Sequence, residues 1–579
     1  MPTLNWIGKE AVVNHHNQVP FRTLDKKYTF GGDDSENKII HGDNLEALKA
    51  LLPEYEGRIK CIYIDPPYNT GASPENGGWI YYDNVDSPRM RRWLGQVVGN
   101  KFEDLSCHDK WLCMMYPRLK LLQKMLSKDG AIFISIDDIE QHNLRLICDD
   151  IFGERNFVAQ FIWHNEGHSD NQDDITSVHE YVLCYAKDKT YLKENHIVDP
   201  TIDESSKILN NYAENSITKN GAKNPPSIVT LKKGFPCEVS DLNLPKHNCI
   251  EDLMNAVAKD GYITRDITKK LNISYPARLD DMIVQNGQLV QDCRVYSGWM
   301  NNAKLNKFIE NEFNPLDDKE SKLRFFLSKN GVVYYRRDGR ETHYIQTVLE
   351  NMGTTETNKY MLESMEITFS YPKPCTLIEF LLSIYSDDDS IILDSFAGSG
   401  TTAHAVLNLN NQKGGNRKFI LVEMGDFSEN ITAKRIKCVI NGYGDGKTAI
   451  KGIGGSFSYY ELGEPIFNED SYLNESVGTE KLREYVWYTE TRVPYTSANN
   501  VTDARGASLQ YLLGNHNGTA YYFYYEPDKI TTLDKTFLNG ITEKAEQYVI
   551  YADNCLLSDE FMQLNHIIFN KIPRDIKKI

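Results

Sequence analysis

The stretch IYIDPPYNTG (62–71) decides the fold of this chain. The apolar residues 60–64 predict a buried strand, and the two prolines after Asp65 forbid both a helix and continued strand pairing. We therefore expect the Asp65 carboxylate at the carboxyl end of a strand. A carboxylate, a rigid kinked backbone and the aromatic ring of Tyr68 at such a position suit an exocyclic amine on a planar base. A plain proline turn is the alternative interpretation.

Strand and helix patterns alternate around this stretch. KIIHGD (38–43) predicts a strand that leads into a helix, because leucines at helical spacing follow it. Residues 111–126 predict another helix that ends at Asp129-Gly130, and AIFISI (131–136) predicts the next strand. This alternation predicts a parallel α/β sheet. Two further strands are predicted at 157–163 and 179–186.

The same pattern resumes far downstream. SIIL (390–393) predicts a strand, DSFAGSGTT (394–402) a glycine-rich loop that leads into a helix, and FILV (419–422) a strand that ends at Glu423. A G-x-G-x-x-A loop between a strand and a helix is typical of a cradle for a nucleotide or cofactor. Glu423 is suitably placed to hold the two hydroxyls of a ribose. A tight glycine turn with a surface glutamate is the alternative.

Composition indicates a multidomain globular protein. A length of 579 residues corresponds to about three to four domains at roughly 150 residues each. The net charge of −17 argues against binding nucleic acid by bulk charge, so any nucleic-acid site must be a local basic patch. No apolar run is long enough for a membrane span, and the first residues lack the apolar core of a signal peptide, which predicts a cytoplasmic protein.

The cysteines do not indicate a metal or disulfide framework. The 11 cysteines are scattered and form no C-x-x-C pair, so we expect reduced packing residues. Cys107, His108 and Cys113 come nearest to a metal cluster but have the wrong spacing. We expect no metal site.

With these motifs in place, the sequence resembles the amino-methylating DNA methyltransferases. In that family a D-P-P-Y motif accepts the target amine and an F-x-G-x-G motif binds S-adenosylmethionine. DPPY precedes the glycine loop here, which is the permuted order of the beta class. Further segments resemble the Mod (modification) subunit of Type III restriction-modification systems: GDNLEAL (42–48), MMYPRLKLL (114–122), ISIDD (134–138), HEYVLCYAK (179–187), GGSFSYYELG (454–463) and KIPRDI (571–576).

The resemblance implies a fold and a domain order. The fold is α/β, with a circularly permuted Rossmann-like methyltransferase sheet, an inserted target-recognition domain and a C-terminal α/β module. Residues 1–190 would carry the DPPY half of the methyltransferase domain and residues 191–355 the target-recognition domain. Residues 356–450 would carry the FAGSG cofactor half, and residues 451–579 a module for dimerisation or partner binding.

The resemblance also implies site residues. Asp65 and the carbonyl of Pro66 would accept the adenine N6 amine, and Tyr68 would stack on the flipped base; the catalytic motif thus comprises Asp65, Pro66, Pro67 and Tyr68. Helix capping is the alternative for Asp43, and an ordinary solvated lysine the alternative for Lys373. The implied cofactor-binding residues are Asp43, Asp65, Lys373, Asp394, Phe396, Gly398, Gly400, Thr401 and Glu423.

Two arginine groups are candidates for DNA contact. SPRMRRWLG (87–95), with Arg89, Arg91 and Arg92, is either a phosphate-contacting loop beside the site or an exposed basic turn. GVVYYRRDGRETHYI (331–345) predicts a hairpin with a turn at Asp338-Gly339. Its tip would present Arg336, Arg337 and Arg340, either to a DNA groove or only to solvent.

The function that the resemblance implies is site-specific adenine-N6 methylation of double-stranded DNA. The chain would be the modification and recognition subunit of a Type III system, active as a homodimer and joined by a separate restriction (helicase-nuclease) subunit. An orphan DNA methyltransferase, N4-cytosine methylation and RNA methylation remain alternatives. An NAD-type oxidoreductase is the alternative from another class, but it leaves DPPY unexplained.

Overall fold

A computed structural model describes residues 4–70, 88–98, 105–165, 177–193, 195, 210–274, 276–318, 321–339, 345–444, 446, 449–468, 470–496, 509–573 and 575–577. The chain forms two compact units. One comprises residues 1–195 together with 345–579, and the other comprises residues 196–344.

A ten-stranded sheet lies at the centre of the larger unit. Six neighbouring strands of this sheet run parallel to one another: Phe457–Pro465, Lys38–His41, Lys418–Glu423, Ile391–Asp394, Ile59–Ile64 and Leu126–Ile136. The spatial order is Arg22–Phe30, Phe457–Pro465, Lys38–His41, Lys418–Glu423, Ile391–Asp394, Ile59–Ile64, Leu126–Ile136, His179–Ala186, Phe157–His164 and Val348–Leu349.

Strands from the two ends of the sequence interleave in this sheet. Ile391–Asp394 pairs on one side with Ile59–Ile64 and on the other with Lys418–Glu423, which in turn pairs with Lys38–His41. The glycine-loop strands therefore lie between two strands of the DPPY half. This arrangement confirms the predicted circularly permuted α/β sheet.

Helices pack their apolar residues on this sheet. Asp43 caps the N-terminus of the helix Asn44–Tyr55. Ser106 and Asp109 form a capping box at the N-terminus of the helix Cys107–Met125. Their buried leucines share one hydrophobic core with strand isoleucines. The other helices of this region are Lys9–Val12, His15–Gln18, Pro88–Val98, Gln141–Cys148, Thr355–Glu363, Cys375–Tyr385, Thr401–Lys413 and Lys434–Asn441, with π-helical turns at Asp149–Gly153 and Ser428–Ala433.

The prediction that Asp129-Gly130 ends a helix is wrong. The helix ends at Met125, and the strand Leu126–Ile136 runs through both residues. Ile59 pairs with Leu126 and Cys61 with Ala131, so Asp129 and Gly130 lie in an irregularity of the strand pair. The Lys60 ammonium lies 2.6 Å from the Asp129 carboxylate and fixes this irregularity.

The strand Phe457–Pro465 belongs to the central sheet. It lies between Arg22–Phe30 and Lys38–His41, so residues 451–579, predicted as a separate module, contribute one strand to the central sheet. Beyond it, a second sheet forms around buried tyrosines and tryptophan. Its strands are Leu512–His516, Thr519–Phe523, Gln547–Ala552 and Ile567–Lys571, with helices Thr479–Thr491, Lys535–Asn539 and Asp559–Leu564 nearby in sequence.

The smaller unit consists of short strands and three described helices. One core includes Phe235, Phe308 and Phe325, and a second cluster, which includes Leu253 and Ile267, holds the buried residues of the helices Ile250–Asp260 and Arg265–Leu271. Its strands are Tyr212–Ser216, Pro226–Leu231, Leu242–Leu244, Ala277–Arg278, Met282–Gln285, Gln288–Leu289, Cys293–Gly298, Leu316–Asp318, Ser321–Leu327 and Val333–Asp338, and its helices are Ile250–Asp260, Arg265–Leu271 and Asn302–Glu310.

The predicted position of Arg336 and Arg337 at a hairpin tip is wrong. Both lie within Val333–Asp338, which pairs on one side with Ser321–Leu327 and on the other with Tyr212–Ser216. Arg336 forms a 2.8 Å ion pair with Glu214, and Arg337 pairs with Asp318. Arg340 lies outside the described residues.

Within the described ranges, no helix combines the length and the apolar character that crossing a membrane requires. The same residues contain no group of three or more His, Cys, Asp or Glu side chains that could hold a metal ion.

Candidate active site

Four acidic residues stand in a row at one edge of the central sheet. Asp43, Glu423, Asp394 and Asp65 end or follow four adjacent strands, in that spatial order. Because those strands are parallel, their carboxyl ends meet at the same edge, where ligands bind in open α/β sheets. The acids predicted for cofactor and for catalysis are thus brought to one edge.

Asp65 and Tyr68 belong to a cluster of four polar side chains, which we call the DPPY cluster: Asp65, Tyr68, Glu180 and Lys373. The Tyr68 hydroxyl lies 2.8 Å from Asp65 Oδ1 and 2.9 Å from Glu180 Oε2. The Lys373 ammonium lies 3.1 Å from Asp65 Oδ2 and 3.1 Å from Glu180 Oε2. It also lies 4.8 Å from the centre of the Tyr68 ring. Each donor of the cluster is thus shared by both carboxylates.

Burial and charge set the protonation of the two donors. Burial of Lys373 disfavours its charged form, but Asp65 and Glu180 outweigh this effect and raise the Lys373 pKa. Burial, and then the charges of Asp65 and Glu180, raise the Tyr68 pKa well above its ordinary value. Lys373 therefore stays an ammonium and Tyr68 a neutral hydroxyl donor.

Buried contacts fix the backbone that carries DPPY. The Trp111 indole N–H donates to the Pro67 carbonyl over 2.6 Å. Asn69 follows in a left-handed conformation with φ 65°, and its amide donates to Glu140 over 2.6 Å. Glu140 is fully buried and also lies 2.8 Å from His108 Nδ1. His108 belongs to the group of residues that comes nearest to a metal cluster in the sequence. In the structure it contacts the carboxylate that holds the DPPY turn.

The glycine loop is bonded to Glu423. The backbone N–H groups of Gly398 and Gly425 donate to the two Glu423 carboxylate oxygens, each over 2.7 Å. Gly398 has φ 51° and Gly400 has φ 82°, backbone angles that residues with a Cβ atom rarely adopt. The glycines are thus required by the turn that brings the loop backbone to the acid.

Asp394 holds the start of the same loop. Its carboxylate accepts a bond from the Phe396 N–H over 2.9 Å and one from the Thr402 hydroxyl over 2.5 Å. Burial raises the pKa of Asp394 to about 7 and that of Glu423 to about 7, and the hydrogen bonds only partly offset this rise. Among the described residues, neither carboxylate forms an ion pair with a basic side chain.

Asp43 caps a helix, as the alternative prediction held. Its Oδ1 accepts bonds from the N–H groups of Leu45 and Glu46, over 2.9 and 3.4 Å. Its Oδ2 lies 3.6 Å from the buried guanidinium of Arg118. Because Arg118 also bonds Asn44, capping and charge pairing position Asp43 at the sheet edge.

Thr401 begins the helix after the glycine loop, and its hydroxyl accepts a 2.8 Å bond from the buried guanidinium of Arg435. Arg435 also donates to the Ser399 hydroxyl over 2.8 Å and to the Cys375 sulfur over 3.1 Å. The Thr401 hydroxyl is therefore engaged with the protein in this structure.

The first arginine group lies on a helix, so the prediction of a loop or turn for it is wrong. Helix Pro88–Val98 includes Arg89, Arg91 and Arg92. Arg92 is exposed, and the side chains of Arg89 and Arg91 lie outside the described residues.

Comparison with known proteins assigns the family. The family model described as DNA methylase matches residues 59–490, which include DPPY, the glycine loop and the smaller unit. The chain belongs to the DNA methylase family.

Three relatives show how this methylase compares with known enzymes. The Type III EcoP15I Mod subunit of Escherichia coli is 30% identical over 73% of this chain and 64% of its own length. The EcoPI Mod subunit of Escherichia phage P1 is 30% identical over 73% of this chain and 63% of its length. The Type II methyltransferase M.KpnI of Klebsiella pneumoniae is 29% identical over 68% of this chain and 81% of its length. The chain thus spans less than two thirds of the two Mod subunits.

Several residues at the site were not predicted from the sequence. Glu180 joins the DPPY cluster, Trp111 and Glu140 hold its backbone, and Arg118 pairs with Asp43. Glu180 and Arg118 carried a signal, because they lie in the segments HEYVLCYAK and MMYPRLKLL that resemble Mod subunits, whereas Trp111 and Glu140 lie in neither segment. Lys373, which the resemblance assigns to the cofactor, lies with the predicted catalytic residues.

Proposed function

We propose that this chain transfers a methyl group from S-adenosylmethionine to N6 of adenine in double-stranded DNA. The observation that carries the proposal is the pairing of the DPPY strand Ile59–Ile64 directly with the glycine-loop strand Ile391–Asp394. This pairing sets Asp65 beside the residues that hold the glycine loop. A base-binding carboxylate and a cofactor loop on adjacent strand ends are what methyl transfer requires, because both reactants must meet in line.

The residues at the sheet edge fit this cofactor. S-adenosylmethionine is cationic at sulfur and carries ribose hydroxyl donors, and it supplies an electrophilic methyl group when bound. Glu423 and Asp394 are buried carboxylates with no basic partner among the described side chains, so hydroxyl donors and a positive charge would stabilise them. Glu423 would hold the ribose, and Asp43 would contact the adenine of the cofactor. Phe396, Gly398 and Gly400 would line the cradle.

The DPPY cluster would bind the target base. The Asp65 carboxylate and the Pro66 carbonyl would accept hydrogen bonds from the amine, which turns the nitrogen lone pair toward the methyl group. The Tyr68 ring would stack on the extruded base. Trp111 and Glu140 would keep this backbone in place, so catalysis would come from alignment of a polarised amine rather than from a strong base.

We infer the biological role from the relatives. Two of the three named above are Mod subunits, which favours a modification and recognition subunit of a Type III system, active in the cytoplasm. Residues 196–344 would then read the target sequence, and a separate restriction subunit would act with this chain. A Type II or orphan methyltransferase is the second candidate, favoured by the similarity to M.KpnI.

Sequencing tests the reaction. DNA from cells that express this chain should carry N6-methyladenine in one short sequence context, read by modification-sensitive sequencing, and the Asp65→Ala variant should leave that context unmodified. N4-methylcytosine instead would contradict adenine specificity while keeping DNA amino-methylation. Unmodified DNA from cells with well-expressed wild-type protein would contradict the proposal as a whole.

The assembly has its own test. We expect a homodimer in which one protomer reads DNA while the other methylates. Light scattering of the purified chain should give twice the monomer mass. A fully active monomer at micromolar concentration would contradict this expectation.

A further inference from the structure

The DPPY cluster contains one carboxylate more than amine binding requires. Glu180 lies on the strand His179–Ala186, which pairs antiparallel with Leu126–Ile136 and Phe157–His164. Its side chain is 22% exposed, close to the 26% of Asp65, while Lys373 is 8% exposed. Glu180 is therefore beside the predicted catalytic acid and shares its environment.

The number of hydrogens in the cluster limits what each carboxylate can receive. The Tyr68 hydroxyl has one hydrogen, yet it lies within 2.9 Å of oxygens of both Asp65 and Glu180. Only one of the two can receive that hydrogen at a time. When Glu180 receives it, Asp65 Oδ1 is left free to accept a bond from an incoming amine.

The Lys373 ammonium is divided in the same way. It lies 3.1 Å from Asp65 Oδ2 and 3.1 Å from Glu180 Oε2, so its single positive charge serves two carboxylates. The cluster keeps a net negative charge when both acids are ionised. Without Glu180, Lys373 and Tyr68 would both have Asp65 as their remaining acceptor in the cluster, and an amine would have to compete with them.

We propose that Glu180 is a positioning residue for methyl transfer: it accepts the Tyr68 hydroxyl and shares Lys373, and thereby keeps Asp65 Oδ1 available to the target amine. This inference rests on the proposed function and assigns part of it to a residue of the HEYVLCYAK segment. It also gives Lys373 a role at the base rather than at the cofactor.

Removal of Glu180 tests the inference. The Glu180→Ala variant should lower kcat for methylation of duplex DNA on the order of 10- to 100-fold, as expected for loss of a charge-assisted hydrogen bond. The dissociation constant of S-adenosylmethionine, measured by calorimetry on the full chain, should stay within about threefold. The Glu180→Gln variant, which keeps a hydrogen-bond acceptor for Tyr68 but not the charge, should retain intermediate activity.

A second substitution separates this role from a structural one. If Glu180 acts by drawing the Tyr68 hydroxyl away from Asp65 Oδ1, then Tyr68→Phe in the Glu180→Ala background should restore part of the lost kcat at saturating cofactor. A purely structural role predicts a further loss instead. Asp138→Asn is the matched control, because Asp138 accepts a 2.8 Å bond from the hydroxyl of Tyr181 on the same strand and lies outside the cluster.

The outcomes separate the two proposals. Wild-type kcat in both Glu180 variants, or no recovery in the double variant, would overturn the role of Glu180 while methylation by the wild type still supports the proposed function. An inactive wild type would overturn both proposals. A kcat loss in Asp138→Asn equal to that in Glu180→Ala would also count against a specific role.

Discussion

The sheet edge has a proposed catalytic end at Asp65 and a proposed cofactor end at Glu423 and Asp394, and the carboxylates of the two ends have different partners. Asp65 has an ammonium 3.1 Å away and a second carboxylate that shares it. Glu423 and Asp394, on the neighbouring strands, accept only backbone N–H and hydroxyl bonds in the described structure. The Asp65 end therefore has a cation beside its carboxylates without any ligand, and the Glu423 end has none among the described side chains.

The difference indicates which end depends on a ligand for its charge balance. A buried carboxylate without a cation is costly, and burial raises the pKa of both Glu423 and Asp394 to about 7. A cationic, hydroxyl-bearing ligand would relieve that cost. The ligand proposed for the Asp65 end is a neutral amine, so the charges already present there would serve to align it. Substitutions at the two ends should accordingly affect different steps.

The largest effect is expected at Asp65. Asp65→Ala removes the charged acceptor for the amine and leaves Lys373 with Glu180 alone, so methyl transfer should fall on the order of 10²- to 10³-fold or more. Tritium transfer to duplex DNA that contains the mapped site measures the rate. S-adenosylmethionine affinity should change little, because Asp65 lies outside the glycine loop. An equal rate in the variant would show that DPPY is not the catalytic motif.

Glu423→Gln should produce the opposite pattern. The substituted amide places an NH₂ group opposite the N–H of either Gly398 or Gly425, so one donor loses its acceptor. The neutral amide also replaces the charged acceptor proposed for the ribose hydroxyls. Loss of that charge-assisted hydrogen bond costs about 1.5–3 kcal/mol, which corresponds to roughly 10- to 100-fold weaker cofactor binding. Calorimetry measures the affinity, and near-normal kcat at saturating cofactor is expected. A kcat loss as large as that of Asp65→Ala would erase the distinction between the two ends.

Tyr68 separates stacking from hydrogen bonding within the catalytic end. Tyr68→Ala deletes stacking worth roughly 1–3 kcal/mol and should weaken capture of the extruded base by about one to two orders of magnitude. Tyr68→Phe keeps the ring and should retain partial activity. Fluorescence of 2-aminopurine at the target position reports base extrusion. Equal extrusion by Tyr68→Ala and wild type would exclude a stacking role.

The sequence predicted the strand ends of this site because each is encoded locally. Apolar runs stop at Asp65, Asp394 and Glu423, and parallel strands bring their carboxyl ends together whatever the distance in sequence. Long-range pairing was not encoded in the same way. Glu180 reaches Tyr68 only through an antiparallel strand, and Arg336 meets Glu214 across a pair of strands distant in sequence. Local pattern cannot place such partners.

The irregular pairing of the strands Ile59–Ile64 and Leu126–Ile136 could not be predicted from the sequence either. Asp129-Gly130 has the composition of a helix end or a turn, and only its register against Ile59 and Cys61 shows that it lies within a strand. The helix cap at Asp43 was predictable because capping is a local interaction, whereas the Arg118 beside it is held by burial within a distant helix.

The smallest expected effect is a pH dependence confined to the cofactor end. Glu423 and Asp394 have ordinary pKa values of 4.5 and 3.8, which burial raises to about 7 in the folded chain. A raised carboxyl pKa means that the folded state binds protons more tightly than the unfolded state, so these groups stabilise the ligand-free fold below pH about 4 and lose that contribution as pH rises through 7.

Cofactor binding should instead favour the ionised form of Glu423, so the dissociation constant of S-adenosylmethionine should rise by up to about tenfold from pH 8 to pH 6. The increase in melting temperature caused by the cofactor should therefore be larger at pH 8 than at pH 6, and Glu423→Gln should reduce that difference. A cofactor affinity that is constant over this range in the wild type would show that the Glu423 end does not depend on the cofactor for its charge balance.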